Sequence, residues 1–149
     1  DAADLYGQSK HQGEVADAHS VTLRTSVIGH ELGTNLALLD WFLSQRGQAI
    51  SGFTKAIYSG FTTLEMARIV DRILTQHPAL SGVWHVASEP ISKFALLQLC
   101  REKLGWEGVI EPNDEFVCDR SLNADRFNQA TGYTPPSWEA MISELAQQS

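Results

Sequence analysis

Tyr6 and Lys10 stand four residues apart in Leu5-Tyr6-Gly7-Gln8-Ser9-Lys10, close to the start of a 149-residue chain. On a helix that spacing places a phenol and an ammonium on one face. A cation beside a phenol favours the phenolate, which equips the side chain to pass a proton to or from a substrate oxygen near neutral pH. The chemistry implied is proton transfer coupled to a second event at the same centre. A bare Tyr-x-x-x-Lys also occurs as an ordinary exposed helix pair, so its surroundings decide its meaning.

The elements that must position this pair alternate between helix and strand. Residues 4–18 read as the helix that carries it, and the β-branched run from Val21 to Ile28 reads as one buried strand ending at Gly29. Thr34 is a plausible cap for a helix with Leu36, Leu39, Phe42 and Leu43 on one stripe, stopped by Gly47. The backbone donors of Gly33, Thr34 and Asn35 at its start could receive a phosphate oxygen, which makes Asn35 a candidate binding residue. Ala49–Ser51 and Ala56–Ser59 are short strands expected to pair with each other across Gly52. Thr62-Thr63-Leu64-Glu65 is a capping box, with Glu65 reaching back to the Thr62 amide. It opens a helix to Gln76 whose apolar side is Leu64, Ala67, Ile69, Val70, Ile73 and Leu74.

Further on, Val83–Ala87 reads as a strand, and Ser92 caps a helix that Gly105 ends. Val109 and Ile110 suggest a small strand, a short helix closes near Gly132, and Pro135-Pro136-Ser137 opens a last helix with Trp138, Met141, Ile142 and Leu145 inward. Arg120 is the notable cation of this tail, because a guanidinium fork can hold two phosphate or carboxylate oxygens at once. The competing expectation is a surface pairing of Arg120 with Asp119 or Asp125.

Composition narrows the function classes. With 43% apolar and 19% charged residues the chain has ordinary globular usage and enough length for a real core. A formal charge of -7 argues against a nucleic-acid-binding face. No apolar run reaches the roughly 18 residues a membrane helix needs, and no secretory signal is visible, so the expected location is the cytoplasm. Cys100 and Cys118 make no disulfide framework, and the five histidines lack ligand spacing, so no metal is expected. His85 reads as a hydrogen-bonded core residue, while His30 has a stronger claim to function because it follows the strand end.

The surroundings of the pair carry a resemblance. Tyr6-Gly7-Gln8-Ser9-Lys10-His11-Gln12-Gly13-Glu14 is similar to the active-site helix of the extended short-chain dehydrogenase/reductases, NAD(P)-dependent enzymes acting mainly on nucleotide sugars. Leu23-Arg24-Thr25-Ser26, Gly60–Ala67, Gly82–Ala87 and Asp119–Asn123 resemble successive landmarks of the branch around dTDP-4-dehydrorhamnose reductase. The likeness runs through the whole chain but matches only the carboxyl-terminal half of that family.

It implies an α/β fold, the carboxyl-terminal portion of a Rossmann-type domain, helix-rich with a few parallel core strands and small accessory strands. Residues 1–30 would be the remnant of the dinucleotide-binding domain and 31–149 the substrate domain, with 82–87 returning to the main sheet. Tyr6 and Lys10 would be catalytic, with Lys10 also on the nicotinamide ribose, and Thr25, Ser26 and Val27 would line the nicotinamide end of NAD or NADP. Asn35 and Arg120 would contact a nucleotide-diphosphate sugar. Where the rhamnose-type reductases place an aromatic after the Arg-Thr-Ser strand this chain has Val27, and many epimerases have asparagine there.

No glycine-rich pyrophosphate turn is present, since Gly29, Gly33, Gly47 and Gly52 read as turn or cap glycines. An amino-terminal Rossmann half is therefore the expected partner, and the fragment alone should be inactive. A homodimer through the tyrosine helix is expected if Leu5 and Val15 remain exposed. The alternatives are a sugar-nucleotide epimerase, or a non-catalytic ligand-sensing or interaction module.

Overall fold

The structure is a computed structural model that describes residues 5–30 and 37–147. Fifteen elements follow one another among these residues. They are α1 (Leu5–Gln12), β1 (Val21–Arg24), β2 (Val27–Ile28), α2 (Leu38–Ser44), β3 (Ala49–Phe53), β4 (Ala56–Tyr58), β5 (Phe61–Thr62) and α3 (Thr63–Gln76). After these come β6 (Gly82–His85), β7 (Ile91–Ser92), α4 (Lys93–Leu104), β8 (Val109–Asn113), β9 (Cys118–Asp119), α5 (Asp125–Thr131) and α6 (Trp138–Ala146). The architecture is mixed α/β with short, mostly parallel strands.

The run from Val21 to Ile28 is two strands rather than one. β1 pairs in parallel with β6, and β2 pairs in parallel with β5. Thr25 and Ser26 form the junction, where the Arg24 carbonyl still accepts from the Val86 amide and the Ser26 carbonyl accepts from the Phe61 amide, both at 2.9 Å. Gly60 makes the second contact possible. A Cβ there would lie 2.2 Å from both the Ser26 carbonyl oxygen and the Tyr58 hydroxyl.

The expected pairing of β3 with β4 does not occur. β3 runs on through Gly52 and pairs in parallel with β8, while β4 lies between antiparallel β7 and parallel β9. A two-residue hairpin needs positive φ in its turn, hence Gly, Asn or Asp. The connection here is Thr54-Lys55, and no non-glycine among the described residues has positive φ. Thr54 instead donates to the Asn113 carbonyl at 2.8 Å, and the Lys55 carbonyl accepts from the Cys118 amide. Gly52 allows α4 to settle on β3, because a Cβ would meet the Phe94 side chain at 2.7 Å.

The caps formed largely as their residue types dictate. Thr62, Ser92 and Ser137 accept from the amides of Glu65, Ala95 and Ala140, and Gly105 and Gly132 close α4 and α5 in the left-handed conformation. Three helix expectations are corrected. α1 stops at Gln12 instead of residue 18, because Glu14 and Val15 are drawn onto β1. In α3 the inward row is Glu65, Ile69 and Ile73, four residues apart, which leaves Val70 and Leu74 on the solvent side, Leu74 at 70% exposure. The Glu65 carboxylate does not complete the box, because it accepts from Tyr133 Oη at 2.7 Å and from Arg68 at 3.1 Å. Thr34, the expected cap of α2, lies outside the described residues, and Ala37 at the head of α2 makes no side-chain cap.

The core lies between α2, α3, α4, α6 and the strands. Phe42 stacks on Trp106 with ring centroids 4.5 Å apart, and Phe61, Leu96, Met141 and Ile142 are buried around them. Gly60→Ala should destabilise the protein by about 2 kcal/mol or more, since one of the two atoms it would strike is backbone. Chemical denaturation compared with the neighbouring substitution Ser59→Ala measures the cost.

Candidate functional site

Tyr6 and Lys10 share one face of α1, as their spacing requires, with Lys10 Nζ 5.5 Å from the centroid of the Tyr6 ring. Tyr6 is 72% exposed, and α1 has no buried residue. The Tyr6 hydroxyl and the Lys10 ammonium have no hydrogen-bond partner among the described residues. Both groups are therefore offered outward.

The chain beyond α1 is tied to β1 by polar contacts. Glu14 takes Arg24 Nε at 2.6 Å and Arg24 Nη2 at 2.7 Å on its two oxygens. His11 Nδ1 lies 3.1 Å from Glu14 Oε2, and Arg24 Nη1 lies 3.3 Å from His85 Nε2 on the paired strand. The Thr22 hydroxyl donates to the Val15 carbonyl at 2.8 Å and accepts from its amide at 3.1 Å. The Arg24 hydrogen bonds, with a smaller contribution from His11, hold the Glu14 carboxyl at about 2, well below the ordinary value. Its folded value is depressed, so this stabilisation is complete above about pH 4.5 and fades as pH falls toward 2. His85 thus has the hydrogen bond expected of it. His30 is paired at 2.7 Å with Asp40.

Two cavities adjoin near the strand junction. One, of about 270 Å³, is lined by Ser26, Leu38, Ala56, Ile57, Tyr58, Lys93, Phe116, Cys118 and Arg120. Its neighbour, of about 310 Å³, shares Leu38 and Lys93 and adds Trp41, Ser51, Phe53 and Leu97. Among the described lining residues there are two cations and no carboxylate. The pairing expected of Arg120 is absent, because Asp119 accepts from Ser121 and Asp125 from Asn123. The guanidinium of Arg120 and the ammonium of Lys93 have no partner among the described residues. The Tyr58 hydroxyl is buried without a partner among the described residues, and its burial pushes that phenol well above its ordinary value. An ammonium and a guanidinium fork without partners among the described residues, in one cleft, suit an anionic ligand.

Of the residues singled out in the sequence, Ser26 and Arg120 meet in one cavity, and Tyr6 and Lys10 meet on α1. Thr25 and Val27 flank Ser26 at the junction, Val27 half exposed. Tyr6 and Lys10 line neither of these two cavities. Asn35 lies outside the described residues. Among those residues no group of three or more metal-ligating side chains gathers, and no helix is long and apolar enough to cross a membrane.

Lys93 and Tyr58 were not evident beforehand. A legible signal for Lys93 is its place in the first turn of α4, where no acid stands and the helix dipole disfavours a cation. Glu14 and Arg24 are ten residues apart on different elements, a spacing no local rule pairs.

No protein-family model matches the chain, and no curated protein does. Solved structures do. A hypothetical dTDP-4-dehydrorhamnose reductase from Sulfolobus tokodaii superposes with a TM-score of 0.72 and 24% identity, over 95% of this chain and 54% of that one. The dTDP-4-dehydrorhamnose reductase of Bacillus anthracis, solved in complex with NADP, gives 0.65 and 16%, over 87% and 48%. UDP-N-acetylglucosamine 4-epimerase from Bacillus cereus gives 0.67 and 13%, over 86% and 47%. The fold is that of a portion of the Rossmann-type short-chain dehydrogenases/reductases, and the chain spans about half the length of the structures it matches.

The two thiols of the chain differ in access, which makes a prediction. Cys100 is buried, which pushes its thiol up to about 12, whereas Cys118 lies on the cavity wall and is partly exposed. Iodoacetamide at pH 8 should modify Cys118 and spare Cys100 until the protein unfolds, as read by peptide mass.

Proposed function

We propose that this chain, built on the fold of the nucleotide-sugar reductases and epimerases, is the substrate-side part of an NAD(P)-dependent reductase acting on a nucleotide-diphosphate sugar. The observation that carries the reading is the Tyr6–Lys10 pair, presented outward on one helix face with neither polar group engaged by the described residues. The cleft supports it. A chain of net charge -7 keeps two unpaired cations and no acid along the described wall of two joined cavities.

Bound NAD(P)H supplies the hydride. Tyr6 Oη donates a proton to the oxygen on the sugar carbon that is reduced, and Lys10 holds the ribose hydroxyls of the cofactor. The donor set fits that group, because no carboxylate among the described residues engages the Lys10 ammonium. Backbone around Thr25, Ser26 and Val27 lines the nicotinamide end, and Arg120 grips the diphosphate oxygens with its fork. Asn35 would add a contact to the nucleotide.

A dinucleotide-binding half completes the site, and the chain alone turns nothing over. Leu5, Val15 and Val27 are exposed apolar side chains for that half, or a second copy, to cover. The enzyme works in the cytoplasm.

The test uses the chain together with a dinucleotide-binding half, NADPH and a panel of 4-keto nucleotide sugars, followed by nicotinamide absorbance. Turnover is expected, falling about 100- to 10,000-fold in Tyr6→Phe with little change in substrate Kd. Arg120→Ala should weaken nucleotide binding about tenfold or more, the range of a charge-assisted hydrogen bond. Interconversion of sugars without net NADPH consumption would assign an epimerase instead. No turnover, with ligand binding indifferent to Tyr6→Phe, would point to a non-catalytic binding module.

A further inference from the structure

We propose that Arg24 is a positioning residue: clamped on Glu14 and backed by His85, it fixes the end of α1 on the β1–β6 pair and so sets how Tyr6 and Lys10 are presented. The role of those two residues rests on the function proposed above. The strap itself rests on its own contacts.

An eight-residue helix is marginal in water without tertiary support, and no residue of α1 is buried. Apolar packing within the described chain therefore does not locate it. The connection from its last turn to the sheet is polar. Both oxygens of Glu14 are taken by Arg24, and His11 of α1 reaches the same carboxylate at 3.1 Å. Arg24 Nη2 also stands 3.5 Å from His11 Nδ1. The third guanidinium nitrogen faces His85 Nε2, the residue opposite Arg24 in the β1–β6 register.

One planar side chain thus touches α1, the turn after it and the neighbouring strand. A lysine could not do this, since an ammonium is a point charge without the fork. Most surface ion pairs contribute little, but this one is bidentate and its carboxylate side chain is only 17% exposed. Removing the guanidinium would leave that carboxylate with His11 as its remaining side-chain partner among the described residues. Thr22, two residues before Arg24, adds its two bonds to Val15 and keeps the turn in register.

The experiment is hydrogen exchange by mass spectrometry on the whole polypeptide, comparing wild type, Arg24→Lys, Arg24→Ala and the exchange of charges Glu14→Arg with Arg24→Glu. Both single variants should speed exchange about tenfold or more in peptides covering 5–15 and leave 63–76, 93–104 and 138–146 unchanged. The charge exchange should restore part of the protection. In the NADPH absorbance assay with the dinucleotide-binding half present, kcat should fall while substrate Kd stays constant. Unchanged exchange at 5–15, acceleration spread over the whole chain, or full protection in Arg24→Lys would each overturn the proposal. So would altered α1 exchange with unaltered kcat. Absence of turnover in the wild type would defeat the functional reading and the catalytic consequence of the strap, while the exchange result still decides the strap.

Discussion

The structure turns on the junction at Thr25 and Ser26, where the chain leaves one parallel partner and takes another. Parallel strands cannot be joined by tight turns, so β5 and β6 must both be brought back by longer connections before β1 and β2 have anything to pair with. Two hydrogen bonds flank the pairing change, from the Val86 amide to the Arg24 carbonyl and from the Phe61 amide to the Ser26 carbonyl, the second at a place where Gly60 permits backbone to approach backbone. Arg24 lies immediately before the junction and Ser26 within it. The two therefore serve different ends, Arg24 reaching the α1 segment and Ser26 the cleft wall.

That arrangement divides the polar chemistry in two. On one side, charge is neutralised at short range, with Glu14, Arg24 and the flanking histidines closed on one another. On the other side, Lys93 and Arg120 have no acid partner among the described residues although the chain carries a surplus of acids. Nearby Asp119 and Asp125 are engaged by Ser121 and Asn123, which keeps them from the guanidinium. Satisfying carboxylates locally, with hydroxyls, amides and turn backbone, is what leaves the cleft cationic.

How much of this was legible follows from the range of each interaction. The caps at Thr62, Ser92 and Ser137 and the glycine stops at 105 and 132 are settled within four residues, and they were readable. So was the common face of Tyr6 and Lys10. The partners of β3 and β4 were not, because strands of three to five residues carry too little pattern to choose between neighbours 33 to 62 positions away. The end of α1 was misjudged for a related reason: the Glu14–Arg24 bond overrides a sequence that would otherwise continue as helix. In α3 the stripe was displaced by one position, because Glu65, counted as a cap, is buried and paired with Tyr133 while Val70 and Leu74 face out. Arg120 was recognisable by its chemistry, but Lys93 and Tyr58 join it only through folding.

The claim that these joined cavities receive a nucleoside diphosphate is tested most directly by amide chemical-shift mapping during titration with dTDP or UDP. Saturable shifts confined to the neighbourhood of Ser26, Tyr58, Lys93 and Arg120 are the predicted result. No saturable shift, or shifts gathered on the outer faces of α3 and α5, would contradict it.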